Sequence, residues 1–303
     1  MTDMRVSIAG VEMKNPIITA SGAFGYGMEY NEMYPIEKLG GISCKGTTLN
    51  ERQGNPGPRI AETPSGMLNS VGLQNPGSEA FINIYLPWLR QRDITVIANI
   101  AGHSLDEYRE VARRVSDANV DLVELNISCP NVKEGGMSFG TSCESVEAVV
   151  SEVRKVCNRP LVVKLTPNVT DIGSIAQAAE AAGADAVSLI NTITGMRIDI
   201  RTRRPILKNN IGGLSGPAVF PVAVRMVREV YKKVNIPIIG MGGVSTWEDA
   251  AEMMMAGAAA IQVGAALFRD PFAPLKIIDG LQTFADQQGL KSITELTGSV
   301  QEW

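Results

Sequence analysis

The stretch NISCPN, residues 126–131, sets one thiol, Cys129, between two asparagines and directly before a proline. A cysteine so placed serves as a buried filler, a metal ligand or a group that does chemistry. Polar residues also recur where short apolar runs end. In chain order these ends carry Ser21, Lys45, Asn99, Asn126 with Cys129, Lys164, Asn191, the pair Gly242–Gly243, and Gly264. Carboxamides both donate and accept, so several of them with two lysines suit a planar ligand rich in carbonyl and N–H groups. A strand-end asparagine alone often only caps a loop, but repetition at equivalent positions argues for a shared ligand. Lys164, inside VVKLTP, has apolar neighbours on both sides and reads as pointing inward.

A metal centre is not indicated. The four cysteines, Cys44, Cys129, Cys143 and Cys157, are scattered without C-x-x-C spacing. The single histidine, His103, reads as a loop or helix-start residue, and Cys44 and Cys157 as small buried hydrophobes, Cys44 within a strand. The glycines of GMGGVS and QVGAAL are more telling. Bare backbone N–H groups after the last two strands of a barrel approach an anion closely, and the pairing of both loops points to a phosphate-bearing cofactor.

The elements that would position these groups are eight runs: 15–22, 40–46, 95–102, 121–128, 160–167, 185–192, 236–243 and 260–265. They are nearly continuous in apolar residues, as parallel strands covered on both faces are. Helix-period segments lie between them. Ser104 with Glu107, Thr141 with Glu144, and Ser245 with Glu248 have capping-box spacing at three helix starts. Eight such units predict a (β/α)8 TIM barrel, with a doubly wound open sheet as the alternative. Residues 47–77 and 192–216 are too long for turns and read as irregular insertions at the C-terminal face, where barrels build their sites.

No linker or composition shift breaks the alternation, so residues 1–303 are expected to form one domain. Hydrophobic residues make up 45% and charged residues 20%, the balance of a globular protein with a sizeable core. A net charge of -4 gives no sign of nucleic acid or a membrane surface as partner. The N-terminus lacks a signal-peptide pattern, and no apolar run nears the roughly 18 residues of a membrane span. A cytoplasmic protein with reduced thiols is the expectation.

Longer motifs then carry a resemblance over essentially the whole chain. NPIITASGAFGYGMEY, KGTTL, GNPGPRIAETPSGMLNSVGLQNPG, ELNISCPNVKEGGMSFGT, VVKLTPNVTDI, SLINT, GGLSGPA, PIIGMGGVSTWEDA and MAGAAAIQVG together resemble the dihydroorotate dehydrogenases, flavin enzymes of pyrimidine synthesis. NSVGLQN and NVKEGGMSFGT are similar to the NAD-linked class 1B rather than to the fumarate-using class, and Cys129 stands where the membrane-bound class has a serine as base.

The resemblance implies oxidation of dihydroorotate to orotate with one FMN per chain. It makes Cys129 the base that takes a proton from C5, in a loop that closes over the substrate, while hydride leaves C6 for the flavin. It assigns the substrate to Lys45, Asn69, Ser70, Val71, Gly72, Leu73, Asn126, Asn131, Asn191 and Thr192. It assigns FMN to Ser21, Lys45, Gly46, Asn99, Asn126, Lys164, Ile190, Gly216, Gly242, Gly243, Gly264 and Ala265. Where a threonine is common, Ala265 offers only backbone. The resemblance also implies a homodimer within a heterotetramer, whose partner subunits carry FAD and a 2Fe–2S cluster and deliver electrons to NAD. Other readings are a Schiff-base lyase using Lys45 or Lys164, a phosphate-binding barrel without catalysis, and a tRNA-modifying flavin barrel. The acidic balance opposes the last, and a flavin spectrum separates the family reading from the first two.

Overall fold

The computed structural model describes residues 1–128 and 139–303. Cys129 and Asn131 therefore lie outside the described residues. All eight runs contain barrel strands: β1 (Ile17–Thr19), β2 (Gly41–Ser43), β3 (Thr95–Ile100), β4 (Leu122–Asn126), β5 (Leu161–Lys164), β6 (Ala186–Leu189), β7 (Ile238–Met241) and β8 (Ala260–Val263). They pair in parallel and in chain order, and β8 closes on β1. This is a (β/α)8 barrel; the open-sheet alternative fails because no strand is left at an edge. Strands buried on both faces explain the unbroken apolar runs. Cys44 is buried as expected but follows the last residue of β2 rather than lying within it.

Among the described residues, the long α-helices that pack outside include α1 (Leu105–Asp117), α2 (Cys143–Arg154), α3 (Ile172–Ala181), α4 (Phe220–Tyr231), α5 (Trp247–Ala256) and α6 (Ala273–Gln288). The 3.6-residue period puts Tyr108, Val111, Ala112 and Val115 of α1 on one buried face, and Val146, Val149, Val150 and Val153 of α2 likewise. Ser104 caps α1 by accepting from the Glu107 N–H, but the Glu107 carboxylate takes the His103 N–H instead of completing the box. The other two caps sit one residue later than the spacing suggested. Ser142 caps α2, and Thr246 caps α5 in a full box with Asp249. At α5 the reason is visible: Ser245 Oγ donates to the Gly243 carbonyl, leaving Thr246 to meet the helix. Each cap is worth about 1 kcal/mol.

The two insertions are not irregular. Strands Ile193–Gly195, Gly212–Ser215, Gly66–Asn69 and Ile60–Thr63 pair in that order as an antiparallel sheet. Its central pairing sets Asn69 opposite Gly213 and Leu68 opposite Leu214. Ala61, Leu68 and Leu207 give it a small apolar core of its own. A hairpin of Val6–Ile8 and Val11–Met13 adds Val6, Ile8 and Met13 to the main core just ahead of β1.

Candidate active site

The strand ends bring the amides and lysines to one mouth. Asn126 ends β4 and pairs in register with Lys164, the last residue of β5. Asn126 Oδ1 accepts from the Ser128 N–H at 3.2 Å and from Asn191 Nδ2 at 3.3 Å. Asn191 Oδ1 accepts from the Thr192 N–H at 2.8 Å, and the Asn191 N–H donates to the Leu165 carbonyl. Both carboxamides are thus turned so that, among the described residues, N–H bonds remain spare on their nitrogens. Tyr108 on α1 donates to the Asn126 carbonyl at 2.8 Å and ties the helix to this strand end.

The insertion sheet supplies Asn69, whose Nδ2 donates to the Gly213 carbonyl at 3.4 Å. Beyond it, residues 70–73 are held by two buttressing asparagines. Asn55 Nδ2 donates to the Ser70 carbonyl, and Asn75 Nδ2 donates to the Leu73 carbonyl at 2.7 Å while Asn75 Oδ1 takes the Thr48 and Gly77 N–H groups. Asn55 and Asn75 were not singled out from sequence, because an asparagine in a long loop carries no mark of what it braces.

Lys45 follows the end of β2. Burial, and then the neighbouring charges of Lys164 and Arg59, push its ammonium below the usual lysine range. Among the described residues no carboxylate forms an ion pair with Lys45. A cleft of about 600 Å³ lies beside the mouth, lined by Tyr26, Tyr85, Arg52, Gln53 and Gln74, and shares only Lys45 with the expected site.

A buried carboxylate that sequence reading passed over lies at the centre. Glu124, inside β4, has no exposed surface and faces the barrel interior. Its Oε2 accepts from Ser43 Oγ at 2.8 Å and Asn99 Nδ2 at 2.6 Å. Its Oε1 accepts from Ser188 Oγ and Gln262 Nε2, both at 2.8 Å. Lys164 Nζ stands 4.0 Å from Oε2. Six of the eight barrel strands contribute to this cluster. Burial pushes the Glu124 carboxyl up, but the Lys164 charge and the hydrogen bonds from Asn99, Ser43 and Ser188 outweigh it together and hold the carboxyl below the usual glutamate range. One signal was available: a charge flanked by Val123 and Leu125 in an alternating strand must face inward.

The site also fits a flat ring with a phosphate. Asn99 Oδ1 is buried and accepts no hydrogen bond among the described residues. A Cβ on Gly46 would stand 2.9 Å from this oxygen and 3.8 Å from Ser21 Oγ, so glycine keeps the acceptor open. Elsewhere at the mouth a Cβ on Gly242 would lie 3.0 Å from Ile190 Cγ1, and one on Gly243 only 2.8 Å from the Gly216 carbonyl oxygen. Gly243 also has φ 81°, where a side chain is strained. Gly264 and Ala265 follow β8, beside Ala20. An open acceptor, a cation and glycine backbone after β7 and β8 suit an imide-edged ring and an anion. Among the described residues no three His, Cys, Asp or Glu side chains gather as for a metal ion, and no helix is long and apolar enough to cross a membrane.

A profile of the dihydroorotate dehydrogenase family matches residues 3–284. The protein of Alkaliphilus metalliredigens named "Dihydroorotate dehydrogenase B (NAD(+)), catalytic subunit" is 55% identical over 298 residues, 98% of this chain and 99% of the relative. Proteins of the same name from Bacteroides fragilis and Petrotoga mobilis are 51% identical over 302 residues and 50% identical over 300 residues, each covering 99% of this chain and 100% of the relative. Barrel, mouth and near-complete matches agree, and the chain belongs to the dihydroorotate dehydrogenase family.

Proposed function

We propose that this chain oxidises dihydroorotate to orotate in pyrimidine synthesis, as the catalytic subunit of an NAD-linked enzyme that uses FMN. The observation that carries the reading is the convergence, at one barrel mouth, of the Asn126–Asn191 amide pair with the Glu124–Lys164–Asn99 cluster. Bound FMN would accept the hydride that leaves C6 of the substrate. Ser21, Gly46, Asn99, Lys164 and Ile190 would hold its ring, and Gly216, Gly242, Gly243, Gly264 and Ala265 its phosphate side. Lys164 would stand where reduction places negative charge.

The substrate is an anion with a ring of alternating carbonyl and N–H groups. Lys45, without a carboxylate partner among the described residues, offers the positive charge for its carboxylate. The spare N–H bonds of Asn126 and Asn191 suit its oxygens, and Asn69, Thr192 and the backbone of Ser70, Val71, Gly72 and Leu73 complete the pocket. Asn131 would add a further amide from the segment that follows Ser128. Cys129, directly after Ser128, would take the C5 proton on Sγ. A thiol with an ordinary pKa of about 8.5 is partly ionised near neutrality and can serve as that base.

The relatives are named as catalytic subunits of an NAD(+) enzyme, which supports a separate electron-transfer subunit. We place FAD and a 2Fe–2S cluster there, in a cytoplasmic heterotetramer built on a homodimer of this chain. The purified chain should be yellow, release FMN on denaturation, and reduce dyes but not NAD with dihydroorotate until the partner is added. A colourless chain that cannot be loaded with flavin overturns the reading.

A further inference from the structure

We propose that Glu124 is a positioning residue that sets the orientation of the Asn99 carboxamide, and so makes the barrel mouth demand an N–H donor from the flavin ring. A carboxylate has only acceptor oxygens, so the Asn99 group 2.6 Å from Oε2 must be the amide nitrogen. Its Oδ1 then has to point the other way. That oxygen is buried and accepts no hydrogen bond among the described residues, and it lies toward Gly46 and Ser21, on the side where the ring would sit. A free asparagine presents either end of its amide; this one cannot.

The lock is itself rigid. Glu124 is completely buried, and Ser43, Ser188 and Gln262 occupy its remaining acceptor positions from three other strands. A carboxylate held from several sides has one rotamer open to it, and that fixity passes to Asn99. The isoalloxazine ring of an oxidised flavin carries one N–H, at N3, between two carbonyls. The orientation imposed by Glu124 therefore selects a ring whose edge reads acceptor–donor–acceptor and opposes one whose donor is blocked.

This inference rests on the flavin reading, and one titration separates the two. The full chain, stripped of flavin, is titrated with FMN and with 3-methyl-FMN, following flavin fluorescence. The unaltered protein should prefer FMN by about tenfold or more, the cost of leaving one buried acceptor unpaired. Asn99→Ala should lose most of that preference. Glu124→Met, similar in size but without an acceptor, should lose it too by freeing the Asn99 amide to turn, and should change the ratio no further in the Asn99→Ala background. Should Glu124→Met not fold, Glu124→Asp draws the carboxylate back by one methylene while keeping its charge, and its preference should also fall. A merely structural role would weaken both ligands equally and leave the ratio alone. An unchanged ratio in the folded Glu124 variants, or a preference that persists in Asn99→Ala, overturns the proposal while the flavin reading stands. Binding of neither compound defeats the flavin reading, and this inference with it.

Discussion

Replacing Lys164 with methionine removes a cation beside a carboxylate that has no contact with solvent. Lys164 Nζ lies 4.0 Å from Glu124 Oε2, with side-chain exposures of 6% and 0%. Breaking a buried pair by deleting one partner costs about 3–5 kcal/mol. The four hydrogen bonds from Ser43, Asn99, Ser188 and Gln262 survive the substitution, so the low end, about 3 kcal/mol, applies. For a chain of this size that is a fall of about 5 °C in Tm. The pH dependence is the sharper test. In the unaltered protein the Glu124 carboxyl is held below its unfolded value, so its contribution is full above that value and fades only as pH falls through the acid range. Without Lys164, burial is opposed by hydrogen bonds alone and the carboxyl moves up. The variant gains a proton on folding more readily, and its deficit is smallest in acid. The Tm gap between the two flavin-free proteins, measured by calorimetry, should widen as pH rises through the acid range. A gap that is constant with pH, or that narrows, refutes the buried-pair reasoning.

Cys129→Ala should keep FMN and bind orotate, yet slow flavin reduction by dihydroorotate about 10²–10⁴-fold in rapid mixing; Cys129→Ser should move the pH profile of that step upward. Asn191→Ala removes the donor to Asn126 and a proposed substrate contact, and orotate binding measured by flavin difference spectra should weaken by about 1–3 kcal/mol. Gly243→Ala would press a Cβ to 2.8 Å from the Gly216 carbonyl oxygen at a positive φ, so the protein should be purified with little FMN and a lowered Tm. Full FMN occupancy in that variant would remove Gly243 from the cradle.

The barrel was legible because strands covered on both faces must be apolar nearly throughout, and strands such as LVELN and LVVK end at Asn126 and Lys164, which meet at the mouth. The insertion sheet was not legible, since its central pairing joins Asn69 to Gly213 and no local pattern announces a partner so distant in sequence. Helix starts were found to within one residue. Thr141–Ser142 and Ser245–Thr246 each offer two adjacent hydroxyls, and competing bonds such as that from Ser245 to Gly243 decide between them. The amides and lysines of the mouth were found because polar residues ending apolar runs stand out. Glu124, Ser43, Ser188 and Gln262 escaped because each is a single polar residue within such a run, and their meaning appears only when strands far apart in sequence face a common interior.

The central claim is that dihydroorotate gives its hydrogens to a flavin at this barrel mouth. Anaerobic mixing of the purified, FMN-loaded chain with dihydroorotate tests it directly. The flavin absorbance should bleach in one turnover and orotate should form in equal amount, without NAD or a partner protein. A flavin that stays oxidised while orotate fails to form would contradict the account.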